Sequence, residues 1–119
     1  MNSAPDIRAI VGRVIQGYAG GDAAVAPLTD DVVYRGPMMP QPLHGAAEVR
    51  QYMADIEPFV ARVELKRLIT EGDSAAAIFE FEGVNGVVIE GAQFFRFRGG
   101  LICEQRVFFD TQKLLRGKT

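Results

Sequence analysis

A chain of 119 residues has room for one compact domain with a real core and not for two. At 48% hydrophobic and 24% charged it is globular rather than disordered, and a net charge of −2 with scattered Lys and Arg offers no basic patch for nucleic acid. One cysteine (Cys103) and one histidine (His44) rule out an internal disulfide and argue against a His/Cys metal site. Every apolar run is broken by charge within a few residues, so none can span a bilayer. The N-terminus carries acid and arginine instead of a basic start and a continuous apolar stretch. The default is a soluble cytoplasmic domain, 1–119, without a leader.

From about Pro5 to Ala19, Ile7, Ile10, Val11, Val14, Ile15 and Tyr18 recur at three- and four-residue spacing. That predicts an amphipathic helix, capped by Ser3 or Asp6 and ended by Gly20-Gly21. A short second helix is expected over Ala23 to Leu28, limited by Pro27. Thr29-Asp30-Asp31 reads as a turn into a strand, Val32 to Arg35. GPMMPQPLHG, with three prolines and two glycines, is a loop whose methionines suit it to fold over something. Helical spacing returns from Ala46 to Ile56 and stops at Pro58. Phe59 to Ile69 alternates as a half-exposed strand.

Ser74 to Asp110 reads as three consecutive strands joined at Asn85-Gly86 and Gly99-Gly100. A two-residue type I′ turn at Asn85-Gly86 pairs Val84 with Val87, Glu82 with Ile89, Glu80 with Gly91 and Ile78 with Gln93. One face then carries Ile78, Glu80, Glu82, Ile89, Gln93 and Phe95. The other carries Phe79, Phe81, Val88, Glu90, Phe94 and Arg96. The Gly99-Gly100 turn takes two or three residues, and a two-residue turn sends Glu104 and Arg106 inward. The order predicts an α+β domain whose helices cover one face of a curved sheet.

GGD after the first helix, LTDDVVYRGP at the first strand, a helix opening at HGAAEVRQYM, FFRF in a late strand and RVFFD in the last resemble the nuclear transport factor 2-like superfamily. That superfamily includes ketosteroid isomerases, limonene epoxide hydrolases and SnoaL-type polyketide cyclases. The resemblance covers nearly the whole chain. It implies a cone-shaped, mostly antiparallel sheet wrapped around helices (an α+β roll), an apolar pocket inside the cone, and often a homodimer through the outer sheet face. The catalytic sets do not carry over. Positions matching the isomerase set hold Val14, Gln93 and Gly36, which removes the base and one donor. Positions matching the hydrolase set hold Tyr34, Gly36, Val107, Glu80 and Glu82, with an acid where the arginine belongs. Both alignments put Glu80, Glu82, Gln93, Phe95 and Val107 on the pocket face.

Glu80 and Glu82 share a face with Cα atoms roughly 6.6 Å apart. In an apolar cavity one would stay protonated, giving a general acid beside a general base. In the competing reading Phe79 and Phe81 face the core and both glutamates face water. Tyr34 is a candidate phenol donor with them. Gln93 is placed to fix a ligand carbonyl, with Val14, Tyr18, Met53, Phe95, Val107, Phe109 and His44 as further substrate-binding candidates. Met38 and Met39 belong to the same apolar lining or to plain core.

Two functions follow. One is a cofactor-free isomerase, cyclase or hydrolase acting by general acid–base catalysis on a small apolar molecule. The other is a non-catalytic ligand-binding or dimerisation module. Neither involves a membrane, and both leave Phe79, Phe81, Phe94 and Phe108 to be covered by a homodimer through the sheet.

Overall fold

The computed structural model describes residues 6–21 and 25–116. Helix α1 (Ile7–Gly20) opens on Asp6, whose carboxylate accepts the Ala9 amide at 3.1 Å, and closes on Gly21 at φ 83°. Strands β1 (Leu28–Arg35) and β2 (Leu43–His44) precede α2 (Ala46–Ile56) and a short 3₁₀ turn. Four longer strands follow: β3 (Val60–Glu71), β4 (Ser74–Gly83), β5 (Val88–Arg98) and β6 (Leu101–Phe109). A last helix, α3 (Thr111–Arg116), holds Leu114-Leu115. No helix among the described residues is long and apolar enough to cross a membrane.

The six strands form one curved, unclosed sheet in the order β2-β1-β6-β5-β4-β3. All neighbours are antiparallel except β1 and β6, which run parallel. The expected α+β fold is therefore adopted. Helices α1 and α2 fill its inner face, where Val11, Val49, Met53, Phe95 and Ile102 have no exposed surface. Fully burying a side chain such as Phe95 contributes roughly 1.5–3 kcal/mol.

Several boundaries differ from the sequence expectation. Residues 23 and 24 of the expected second helix lie outside the described residues, and Leu28 opens β1 instead of ending a helix. Thr29-Asp30-Asp31 is strand, because Leu28 already pairs with Ile102 and an irregularity before Val33 absorbs the two aspartates. The Pro/Met loop contributes β2, where Leu43 and His44 pair with Tyr34 and Val33.

The β4–β5 register is one residue away from the expected one. Asn85 keeps a negative φ, only Gly86 is left-handed at φ 85°, and the Asn85 side chain accepts the Val87 amide at 3.1 Å. With Gly86 N donating to Gly83 O (2.9 Å) and Gly83 N to Val87 O (3.0 Å), the connection is a three-residue loop over 84–86. Glu82 thus pairs with Val88, Phe81 with Ile89 and Phe79 with Gly91. A one-residue slip exchanges the faces of one strand relative to the other. Phe79 and Phe81 therefore turn inward, on the same sheet face as Phe95, and Glu80 and Glu82 turn outward.

At Gly99-Gly100 both glycines are left-handed and Arg98 pairs with Leu101, a two-residue turn. Even so, Val107 is buried and Arg106 is exposed. The reason is a bulge. Phe97 pairs with Ile102 and Arg96 with Glu104, leaving Cys103 as an extra residue that restores the inward alternation of Gln105 and Val107.

Candidate functional site

Three tyrosines and two glutamines converge on the inner face. Tyr34 on β1 lies opposite Gln105 on β6, and Gln105 lies opposite Phe95 on β5. Gln93 pairs with Val107, the next inward position along, so the two glutamines are diagonal neighbours with Cα atoms ~7–8 Å apart. The helices bring the rest. Tyr18 comes down from the last turn of α1 and faces Tyr34 and Gln93. Tyr52 of α2 packs against Tyr34 with ring centroids 5.1 Å apart.

The cluster is deeply buried, and several of its polar atoms have no partner in the fold. Tyr34, Gln93 and Gln105 are 3%, 2% and 0% exposed. The Tyr18 hydroxyl, Gln93 Nε2, and both Gln105 Nε2 and Oε1 are buried without a hydrogen-bond partner. Buried polar groups are paired in the great majority of cases, and leaving one unpaired costs about 1–3 kcal/mol. Four such atoms on three adjacent side chains are therefore informative. A fifth, Thr29 Oγ1, sits at the start of β1 beside Asp31, outside the cluster.

Electrostatically the site is neutral. Burial pushes the Tyr18 phenol up to about 12, and loose hydrogen-bonding contacts with Tyr34 and Gln93, outside the geometry of a fully formed bond, moderate that rise. The Tyr34 phenol is held well above its ordinary value by burial first and by Tyr18 and Tyr52 after it, and burial likewise raises Tyr52. All three phenols keep their protons at neutral pH. The five side chains of the cluster are themselves uncharged, and the Glu57 carboxylate adds a further rise at the Tyr18 phenol. What it can do is donate and accept hydrogen bonds inside an apolar shell.

Of the residues singled out from sequence, Tyr34, Tyr18, Gln93, Val14, Met53, Phe95 and Val107 fall in or against this interior. Phe109 meets Phe81 edge-on at 6.2 Å, further along the same face. Met39 packs over Gly36 and Val107, whereas Met38 is 51% exposed. His44 is exposed on β2, and its backbone amide donates to Glu48 at the start of α2. Glu80 and Glu82 are not brought to the cluster. On the outer face Arg62 reaches Glu80 at 3.0 Å and Glu82 at 3.3 Å, and the guanidinium holds the Glu80 carboxyl below its ordinary value.

Two members, Tyr52 and Gln105, were not singled out from sequence. Both had a signal. Tyr52 shares the helical stripe of Val49, Met53 and Ile56, and Gln105 is two residues before Val107 on an alternating strand. The outer aromatic face also changes. Phe79 and Phe81 leave it for the core, and the exposed apolar groups there include Ile69, Ile78 and Phe108, with Phe94 half-buried among them.

Residues 11–105 match the family model of the SnoaL-like domain. The chain belongs to that family. Solved structures repeat its SnoaL-like fold at low identity. A protein from Jannaschia described as a SnoaL-like polyketide cyclase is 16% identical with a TM-score of 0.80, over 98% of this chain and 96% of the other. An NTF2-like protein of unknown function from Cytophaga hutchinsonii is 20% identical with a TM-score of 0.77, over 97% and 99%. A de novo designed protein with a curved β-sheet is 21% identical with a TM-score of 0.81, over 98% and 95%. These likenesses concern the fold. One SnoaL-like backbone serves a natural cyclase-named protein and a designed sheet alike, so function has to be argued from the interior side chains.

Proposed function

We propose that this SnoaL-like domain binds a small, uncharged, mostly apolar molecule against the Tyr18–Tyr34–Gln93–Gln105 cluster. The observation that carries the reading is the set of unpartnered buried polar atoms, which a ligand's polar group would satisfy while Phe95, Met53 and Val107 contact its apolar body. Neutral phenols and amides favour a neutral ligand, because an ion would lose its hydration without a counter-charge. The test is thermal unfolding with cyclohexanone or, at equal concentration, cyclohexanecarboxylate. The ketone is expected to raise the unfolding temperature and the carboxylate to leave it unchanged. Equal effects, or none, would reject the reading.

Catalysis of the isomerase or cyclase type is the second reading: the protonated phenols of Tyr18 and Tyr34 would hydrogen-bond an enolate oxygen while solvent takes the α-proton. Exchange of the ketone's α-hydrogens for deuterium, faster with protein than with buffer, would establish it. An unchanged ketone leaves binding alone.

The partner proposed for the outer face is a second copy of the chain. Its apolar middle, Ile69, Ile78, Phe94 and Phe108, is flanked toward one strand end by Glu80 and Glu82, already paired with Arg62, and by Glu90, and toward the other by Arg106 and by Arg96 opposite Glu104. A two-fold axis across the strands lays each apolar middle on the partner's and leaves the charged groups at the rim. Sedimentation is expected to give a dimer for the wild type and a monomer for Phe108→Glu. A monomeric wild type at micromolar concentration would dismiss the interface.

A further inference from the structure

The cluster's unpaired atoms have a pattern, and it is more specific than "polar". Gln105 is fully buried with both ends of its amide unpaired, so it presents one donor and one acceptor side by side, whichever way the amide is turned. Gln93 adds a second unpaired donor, its Nε2, from the diagonal position on the neighbouring strand. A ketone accepts from the two Nε2 groups and leaves Gln105 Oε1 unpaired. A hydroxyl has one donor and two acceptor sites on a single oxygen, which cannot lie in line with both the Nε2 and the Oε1 of the planar Gln105 amide at once. A group with a carbonyl and an N–H next to each other satisfies all three atoms.

We infer that the interior recognises a neutral ligand through a lactam or carboxamide edge. The ligand carbonyl accepts from Gln105 Nε2 and from Gln93 Nε2, and the ligand N–H donates to Gln105 Oε1. The Tyr18 hydroxyl, also unpaired and facing Gln93, is left for a second polar atom of the ligand. The inference rests on the interior being a binding site, and it names the chemistry that the site selects. The selectivity has a physical source. A site built around buried amides rejects a ligand lacking one partner, because the protein group is then stranded without solvent.

The experiment compares two probes of nearly equal size and polarity: 2-quinolone, which presents C=O and N–H on one edge, and N-methyl-2-quinolone, which keeps only the carbonyl. Their affinities are measured by calorimetry against the wild-type chain, Gln105→Leu and Gln105→Met. The wild type is expected to prefer 2-quinolone by about tenfold or more, and both variants to lose that preference to within about twofold. Equal binding of the two probes by the wild type overturns the lactam edge while leaving the interior as a binding site. Binding of neither quinolone, together with cyclohexanone that does stabilise the protein, also overturns it. If the ketone fails as well, the interior is not a ligand site at all. A preference that survives in both Gln105 variants would take the role away from Gln105.

Discussion

Replacing Gln105 by leucine is expected to stabilise the protein. The change removes two buried polar atoms that have no partner and keeps most of the side-chain volume beside Tyr34 and Phe95. An unpaired buried amide costs about 1–3 kcal/mol, and replacing it by an apolar group of similar shape recovers that cost. The denaturant midpoint should therefore rise with an unchanged slope. Most core substitutions go the other way, by 0.5–3 kcal/mol of destabilisation as a rough central range, so the sign alone is diagnostic. A gain in stability joined to a loss of lactam binding is the pattern of a functional group held at a cost to the fold. A destabilised Gln105→Leu would mean that the amide is satisfied inside the core and structural.

The second large effect is alkaline. All three tyrosines of the chain belong to the cluster and there is no tryptophan, so tyrosinate absorbance reports on this site and nothing else. The Tyr18 phenol, ordinarily at 10.0, is pushed up to about 12 by burial, and Tyr34 and Tyr52 are raised as well. In the unfolded chain these phenols ionise near 10. Between there and about 12 the unfolded state releases protons that the folded state keeps. The stability from neutral, buried phenols is thus whole below pH 10 and is lost as pH rises. For Tyr18 alone the loss is roughly 3 kcal/mol, two pKa units at 1.36 kcal/mol each. Tyrosinate absorbance should therefore rise together with the loss of far-ultraviolet dichroism. Ionisation near pH 10 in a chain that keeps its dichroism would mean that the phenols are solvated.

Much of the fold was legible because helical spacing and strand alternation act locally. Ala46 to Ile56 is α2 to the residue, and the inward set Gln93, Phe95 and Val107 was found. The faces of β4 were not. They hang on whether one asparagine takes a positive φ. The Asn85 side chain instead accepts the Val87 amide, which makes the loop one residue longer and turns Glu80 and Glu82 outward. The same sensitivity nearly misplaced β6, where the two-residue turn at Gly99-Gly100 and the bulge at Cys103 cancel. Tyr52 and Gln105 carried the correct periodicity, but a lone tyrosine in a helix stripe and a lone glutamine in a strand look like ordinary core. Their meaning appears only once β1, β5, β6, α1 and α2 are brought together.

The most direct test of the interior as a binding site is a titration with cyclohexanone, followed through the side-chain amide resonances of Gln93 and Gln105 in a ¹⁵N-labelled chain. The two NH₂ groups should shift saturably, with the Tyr18 and Tyr34 ring signals moving in step and Glu80 and Phe108 on the outer face unmoved. Shifts confined to the outer face, or glutamine signals unchanged at saturating ketone, would contradict it.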